Sequence, residues 1–187
     1  MRIFIDTKEV LIDALRALLR EKPFDDISVS NIIAKAKVSR ATFYRHFQDK
    51  YSLMCWVYEA QVGEIVKNNP RPSQSINILT ESARFMKENE SYFSQIVKYH
   101  GQNSFMQFVS KYVYNITVNR IQEQTENGEL SPEMIFAIKF HCGGIIYTIN
   151  EWLETGLKEA PEKIGQMIFE SMPEKLKPYL GQPRTKA

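Results

Sequence analysis

Residues 39–50 read Ser-Arg-Ala-Thr-Phe-Tyr-Arg-His-Phe-Gln-Asp-Lys, a dense run of cationic, hydroxyl and aromatic side chains. On the outer face of a helix, such side chains recognise a polyanion without making covalent bonds. Arginine can hold guanine O6 and N7 with two hydrogen bonds, and alanine is small enough to meet a thymine methyl. Arg40 and Ala41 are therefore candidates for reading base edges. The hydroxyls of Thr42 and Tyr44 suit phosphate oxygens, as does Lys50 at the start of the next helix. Tyr44 can equally be a half-buried core aromatic, and His46 suits a structural hydrogen bond better than a base contact.

This chemistry needs a frame that turns the segment outward. Residues 7–20 place Leu11, Leu15, Leu18 and Leu19 at helical spacing, and Pro23 ends that helix. Phe24 and Ile27 have the apolar character to pin the following loop to a core. Ser28 can cap a second helix with Asn31 at its N3 position, and Ser39 can cap a third running to about His46. Between them, Ala36–Ser39 is a short turn. Asp49 can cap a long fourth helix to about Lys67. Leu15, Leu18, Ile32, Val38, Phe43 and Phe47 supply the packing. The pattern is that of a helix-turn-helix, which lays its second helix in the major groove of DNA.

Charge is distributed accordingly. Residues 1–52 hold ten Lys/Arg against seven Asp/Glu, whereas the remainder holds fourteen against fifteen. Within 35–50, Lys35, Lys37, Arg40, Arg45 and Lys50 are opposed only by Asp49, a basic patch on a chain of net charge +2. Such a patch is the footprint of a polyanion partner, with a merely solvated basic face as the alternative.

The rest of the chain also reads as helix. Residues 68–73 form the clearest break, followed by helical patterns over 73–89, 91–99 and 103–126. Ser131-Pro132 opens another helix, Pro161 opens one over 161–171, Pro173 starts a short last segment, and 181–187 is expected to fray. No sustained alternation or hairpin dipeptide marks a strand. The expectation is an all-α chain, with a three-helix helix-turn-helix DNA-binding domain over 1–50 and a helical ligand-binding and dimerisation domain over 51–187.

No metal-ligand spacing, nucleophile elbow or phosphate loop occurs, so neither an enzyme nor a cofactor is expected. Cys55 and Cys142 read as buried free thiols of a reducing compartment. Met1–Thr7 is too short for a secretory leader, and no apolar run nears the ~18 residues of a membrane span. A cytoplasmic protein without membrane contact is expected.

Thr7-Lys8, Phe24, Ser28-Val29, the run Ala36–Phe47 and Asp49-Lys50 together resemble the N-terminal domain of TetR/AcrR-type transcriptional regulators. The resemblance implies base reading by Arg40, Ala41 and Tyr44. It implies phosphate contact by Thr42, Tyr44, His46 and Lys50, with Ser30 touching the backbone from the second helix. Lys37 and Pro23 depart from the pattern, since the family usually has glycine at both places. A lysine in a left-handed turn costs roughly 1–2 kcal/mol. Gly143-Gly144-Ile145-Ile146, then Glu151-Trp152-Leu153 and Gly156, resemble the C-terminal domain of a Firmicutes-like branch, some of whose members resemble a coactivator of dihydroxyacetone kinase genes.

Residues 131–156 are apolar nearly all round, so this helix should be covered on two sides, by its own domain and by a twin subunit. A central core helix in a monomer is the alternative. The resemblance implies a four-helix dimer interface built with 161–171, for which Gly143, Gly144, Ile146, Trp152, Ile164 and Ile168 are candidates. Candidate pocket residues for a small-molecule effector are Phe85, Met86, Phe93, Tyr99, Phe105, Phe108, Tyr112, Phe140 and Tyr147, although aromatic stripes at helical spacing more often form core. The expected protein is a homodimeric, ligand-responsive repressor reading two-fold related half-sites of an operator roughly 34–36 Å apart. A coactivator of the same fold that works without DNA contact is the alternative.

Overall fold

The computed structural model describes residues 6–181. In chain order the α-helices are α1 (Thr7–Leu19), α2 (Val29–Ala36), α3 (Arg40–His46), α4 (Lys50–Asn68), α5 (Ser75–Glu88), α6 (Glu90–Ile96), α7 (Phe105–Gln122), α8 (Pro132–Glu154), α9 (Pro161–Glu170) and α10 (Lys177–Leu180). Single 3₁₀ turns occupy Phe24–Asp26, Pro72–Gln74 and Glu174–Leu176. No strand occurs among the described residues. Of the end expected to fray over 181–187, residues 182–187 lie outside them.

Local side-chain caps set the starts of the first four helices. Asp6 accepts from the Lys8 amide at 2.9 Å. Ser28 and Asn31 form a reciprocal capping box at the start of α2, and Ser39 Oγ accepts from the Thr42 amide at 3.0 Å. Asp49 and Ser52 form a second box opening α4. Each cap satisfies amides that have no partner within the helix, so these boundaries are written in short polar side chains. Farther on, Ser104 caps α7, which stops at Gln122 because Thr125 Oγ1 and the Gln122 side chain fold the following segment into a turn.

The apolar stripe of α1 buries Leu11, Leu15 and Leu18 against Ile32, Phe43 and Phe47 from the helix-turn-helix. The long helix α4 continues this core into the C-terminal half through Leu53, Met54, Val57, Tyr58 and Val62. Tyr92 on α6 donates to the Met54 carbonyl at 2.7 Å and fastens α6 to α4. α9 lies against α5 with almost no gap. A Cβ on Gly165 would stand 3.0 Å from the Thr80 backbone, so only glycine permits this approach. A smaller cluster joins Ile121, Ile138, Met172, Leu176 and Leu180 around α7, α8 and α10. Cys55 and Cys142 are buried free thiols, and burial pushes Cys55 up to about 12, so it stays protonated.

Lys37 ends α2 at φ 55°, ψ 39°, in the left-handed region. Its amide closes the helix on the Ile33 and Ala34 carbonyls. The left-handed cap that glycine usually occupies is thus kept, with a strained lysine in its place. Lys37→Gly is expected to stabilise the protein by about 1 kcal/mol, seen as a higher urea midpoint at unchanged slope. A lower midpoint would contradict this reading of the turn.

Candidate nucleic-acid interface

Burial of Phe43 and Phe47 fixes the rotation of α3. With those rings inside, Arg40, Ala41, Tyr44 and Arg45 face outward. The Phe47 ring meets Trp56 edge-on at 6.2 Å, which locks α3 to α4. The Arg40 guanidinium donates to Ser30 Oγ at 3.0 Å and lies 6.0 Å from the Tyr44 ring centre. Ser30, Arg40 and Tyr44 are therefore one exposed cluster spanning both helices of the motif. Tyr44 is 48% exposed, its ring edge resting on Phe43, so it is not a core aromatic. Thr42 shares a 2.8 Å hydrogen bond with the Ser39 hydroxyl, and His46 is half-buried beside it on α3.

The basic patch is narrower than the residue count suggests. Lys35 pairs with Glu21 at 2.7 Å. Lys37, Arg40 and Arg45 form no ion pair among the described residues and remain available to an anion. Lys50, expected on a phosphate, turns inward instead. Its ammonium donates to the carbonyls of Phe24 (3.0 Å), Asp25 (3.1 Å) and Ile27 (2.8 Å), using all three protons, and sits 4.6 Å from the Phe24 ring centre. It clamps the turn that leads into α2.

In the C-terminal half the expected pocket residues scatter. Phe85, Phe93, Phe105, Tyr112 and Phe108 join Tyr58 in a chain of ring contacts 5.4–5.9 Å apart that fills the core. Tyr99 stacks on Tyr51 beside Phe24. Phe140 and Tyr147 are 69% and 72% exposed, so they line no interior pocket. Phe136, Phe140, Gly143, Gly144 and Tyr147 instead share the outer face of α8, with exposed Met167 of α9 nearby. The interface candidates divide likewise. Gly143 and Gly144 lie on this outer face, and Ile146 packs partly on the core. Trp152, Ile164 and Ile168 are buried within the protomer, Trp152 donating to the Glu159 carbonyl, while Ile168 also borders a groove with Phe140, Gly144 and Met167.

A partly open cavity of about 100 Å³ does exist between α4, α5, α7 and α8, bordered also by Ile168 of α9 and Leu180 of α10. Of the nine residues expected to line a pocket, Met86 alone borders it. Its walls are Tyr58, Val62, Val66, Ile78, Leu79, Ile145 and Ile149, with Ser75, Ser82, Thr117, Arg120 and His141 among them. Burial holds His141 below the usual histidine range, so it presents a neutral ring at neutral pH. Ser75 and Ser82 escaped the sequence reading because isolated serines look like surface. The available signal was their seven-residue spacing on the same helix face as Leu79 and Met86.

The model described as "Bacterial regulatory proteins, tetR family" matches residues 11–54. The model described as "Transcriptional regulator C-terminal region" matches 74–174, more than half of the chain. The chain belongs to the TetR family of transcriptional regulators. It is 30% identical over 96 residues, 51% of each chain, to the HTH-type dhaKLM operon transcriptional activator DhaS of Lactococcus lactis. It spans about half or less of the length of the curated relatives it matches. The solved structure of a dihydroxyacetone kinase operon activator DhaS superposes at a TM-score of 0.65 with 22% identity, covering 94% of this chain and 98% of that one. A TetR regulator from Streptococcus agalactiae gives 0.60 with 21% identity, covering 87% and 90%. Both share the fold. The helix-turn-helix of this TetR-family regulator implies DNA binding, and among its described residues no helix is long and apolar enough to cross a membrane.

Lys50→Met is expected to lower unfolding stability by about 2–3 kcal/mol, since three carbonyls lose a charged donor. The salt slope of duplex binding should stay unchanged at temperatures where the variant is folded. A slope flatter by about one unit would put this lysine on a phosphate after all.

Proposed function

We propose that this regulator is a cytoplasmic, homodimeric repressor, released from its operator when a small molecule occupies the C-terminal half. In this reading residues 1–50 are the DNA-binding domain and 51–187 the sensing and dimerisation domain. The observation that carries it is the exposed Ser30–Arg40–Tyr44 cluster, beside Lys37 and Arg45, which form no ion pair among the described residues, with the other face of α3 locked into the core. Arg40 and Ala41 meet base edges. Tyr44, Thr42, His46 and Ser30 meet bases or backbone around them.

The outer face of α8 supports the dimer. Phe136, Phe140 and Tyr147 are too large and too exposed to be left in water along one helix face. Gly143 and Gly144 between them leave room for a partner helix to come close. A two-fold there sets the separation of two α3 helices.

The sensing route runs along α4. Its Tyr58, Val62 and Val66 wall the cavity, and its first residue Lys50 clamps the turn before α2. Eight residues of helix, about 12 Å, separate Lys50 from Tyr58. A ligand that favours one tilt of α4 over another shifts the spacing of the two reading helices. It does so by no more than its difference in affinity for the two states. A second reading, activation of transcription, is favoured by the relative DhaS, which is described as an activator.

Genomic fragments captured by the purified protein would supply the operator. On it, Arg40→Ala is expected to lose about 1–3 kcal/mol while random duplex loses less. Equal losses on both would remove base reading from Arg40. Phe140→Glu is expected to sediment as a folded monomer, and an intact dimer would move the interface elsewhere.

A further inference from the structure

We infer that the cavity between α4, α5, α7 and α8 binds a short-chain carboxylate, its apolar tail among Val62, Met86 and Ile149 and its carboxylate on Ser75, Ser82 and Arg120. The inference rests on the ligand-responsive reading above and specifies the class of ligand. Its basis is a coincidence of place. Among the described residues, the fully buried side-chain polar atoms without a hydrogen-bond partner are Ser75 Oγ, Ser82 Oγ and Arg120 Nε. All three residues border this one cavity. Both serines are more than nine-tenths buried. A buried polar group without a partner is destabilising, so native proteins satisfy nearly all of them. Three such donors on residues bordering a single void give it the means to hold a polar ligand.

The chemistry of a ligand that suits the cavity follows from the donors. Arg120 Nε is donor-only, and each serine hydroxyl can donate. The other Arg120 nitrogens are engaged, Nη1 on the Asn69 carbonyl and Nη2 on the Arg71 carbonyl, both at 3.0 Å. Those bonds fix the guanidinium in place but bring no negative charge. No carboxylate pairs with it among the described residues. An acceptor-only anion answers all three donors and the charge, whereas an amine would face a cation. The remaining wall is largely apolar. A cavity of 150 Å³ in another protein holds benzene. By that ratio one of about 100 Å³, partly open to its surroundings, encloses about four non-hydrogen atoms, so only the shortest chains fit and butyrate, with six, sets the upper size.

The test titrates the full chain with butyrate, and separately with butyramide, butanol and butylamine, by calorimetry and thermal shift. Saturable binding of butyrate, with none of butylamine, is expected. Ser82→Ala removes an unpartnered hydroxyl. It should leave the melting temperature of the free protein unchanged or higher while weakening butyrate about tenfold. A merely structural serine would lower the melting temperature and leave binding unmoved. Arg120→Met should abolish butyrate binding, and Ser82→Ala carries the test if that variant does not fold. Absence of butyrate binding, or preference for the alcohol or amine, overturns the inference and leaves DNA recognition standing. Butyrate binding without any change in duplex affinity upholds the inference and overturns the release of DNA by ligand.

Discussion

The ammonium of Lys50, held by three carbonyls of the turn before α2, is the constraint on which the reading head depends. A helix-turn-helix is too small to orient itself. Its two helices total fifteen residues and bury Ile32 and Phe43 as their fully enclosed anchors. What fixes their direction is attachment to longer elements. Phe43 and Phe47 dock on α1 and α4, and Lys50 ties the start of α4 to the residues that launch α2. A cation on backbone carbonyls is a strong tie because each hydrogen bond is charge-assisted. It is also short, so it holds the start of α4 against the residues before α2, and the Ser30–Arg40 contact links α2 to α3.

The same helix joins the two halves in energetic terms. Tyr58 and Val62 belong both to the continuous core and to the wall of the cavity. Among the described residues, the three buried polar side-chain atoms without a hydrogen-bond partner all belong to residues bordering that cavity. The close approach of α9 to α5 at Gly165 and the link from Lys87 to the Leu157 carbonyl brace the far wall. α4 is thus the element whose two ends face different partners, one the reading head and the other the void.

The sequence made the helix starts legible because their causes are local. Ser28 with Asn31, Ser39, Asp49 with Ser52, and Ser131 before Pro132 each act within three residues. The outward face of α3 was legible for the same reason, since Phe43 and Phe47 declare the inner face by spacing. Lys50 was not legible. Its partners lie 23 to 26 residues away, and a lysine at a helix start beside a basic patch looks like a phosphate ligand. α8 defeated pattern reading in another way. A helix apolar all round does not say which side its own domain covers, so the sequence alone offers Trp152 for an outer face and Phe140 and Tyr147 for an interior, whereas Trp152 is buried and the other two are exposed. The cavity was hidden because it is defined by what is small. Aromatic stripes fill space, whereas Ser75 and Ser82 leave it.

All of this requires that the Ser30–Arg40–Tyr44 surface be what duplex DNA touches. The direct test is a titration of the ¹⁵N-labelled protein with a short duplex, followed by amide and side-chain shifts in two-dimensional NMR. The largest and earliest shifts are expected at Ser30, Arg40, Ala41 and Tyr44, with the Lys50 ammonium resonance keeping its carbonyl-bound position. Shifts confined to the outer face of α8, or spread evenly over exposed lysines, would contradict the account.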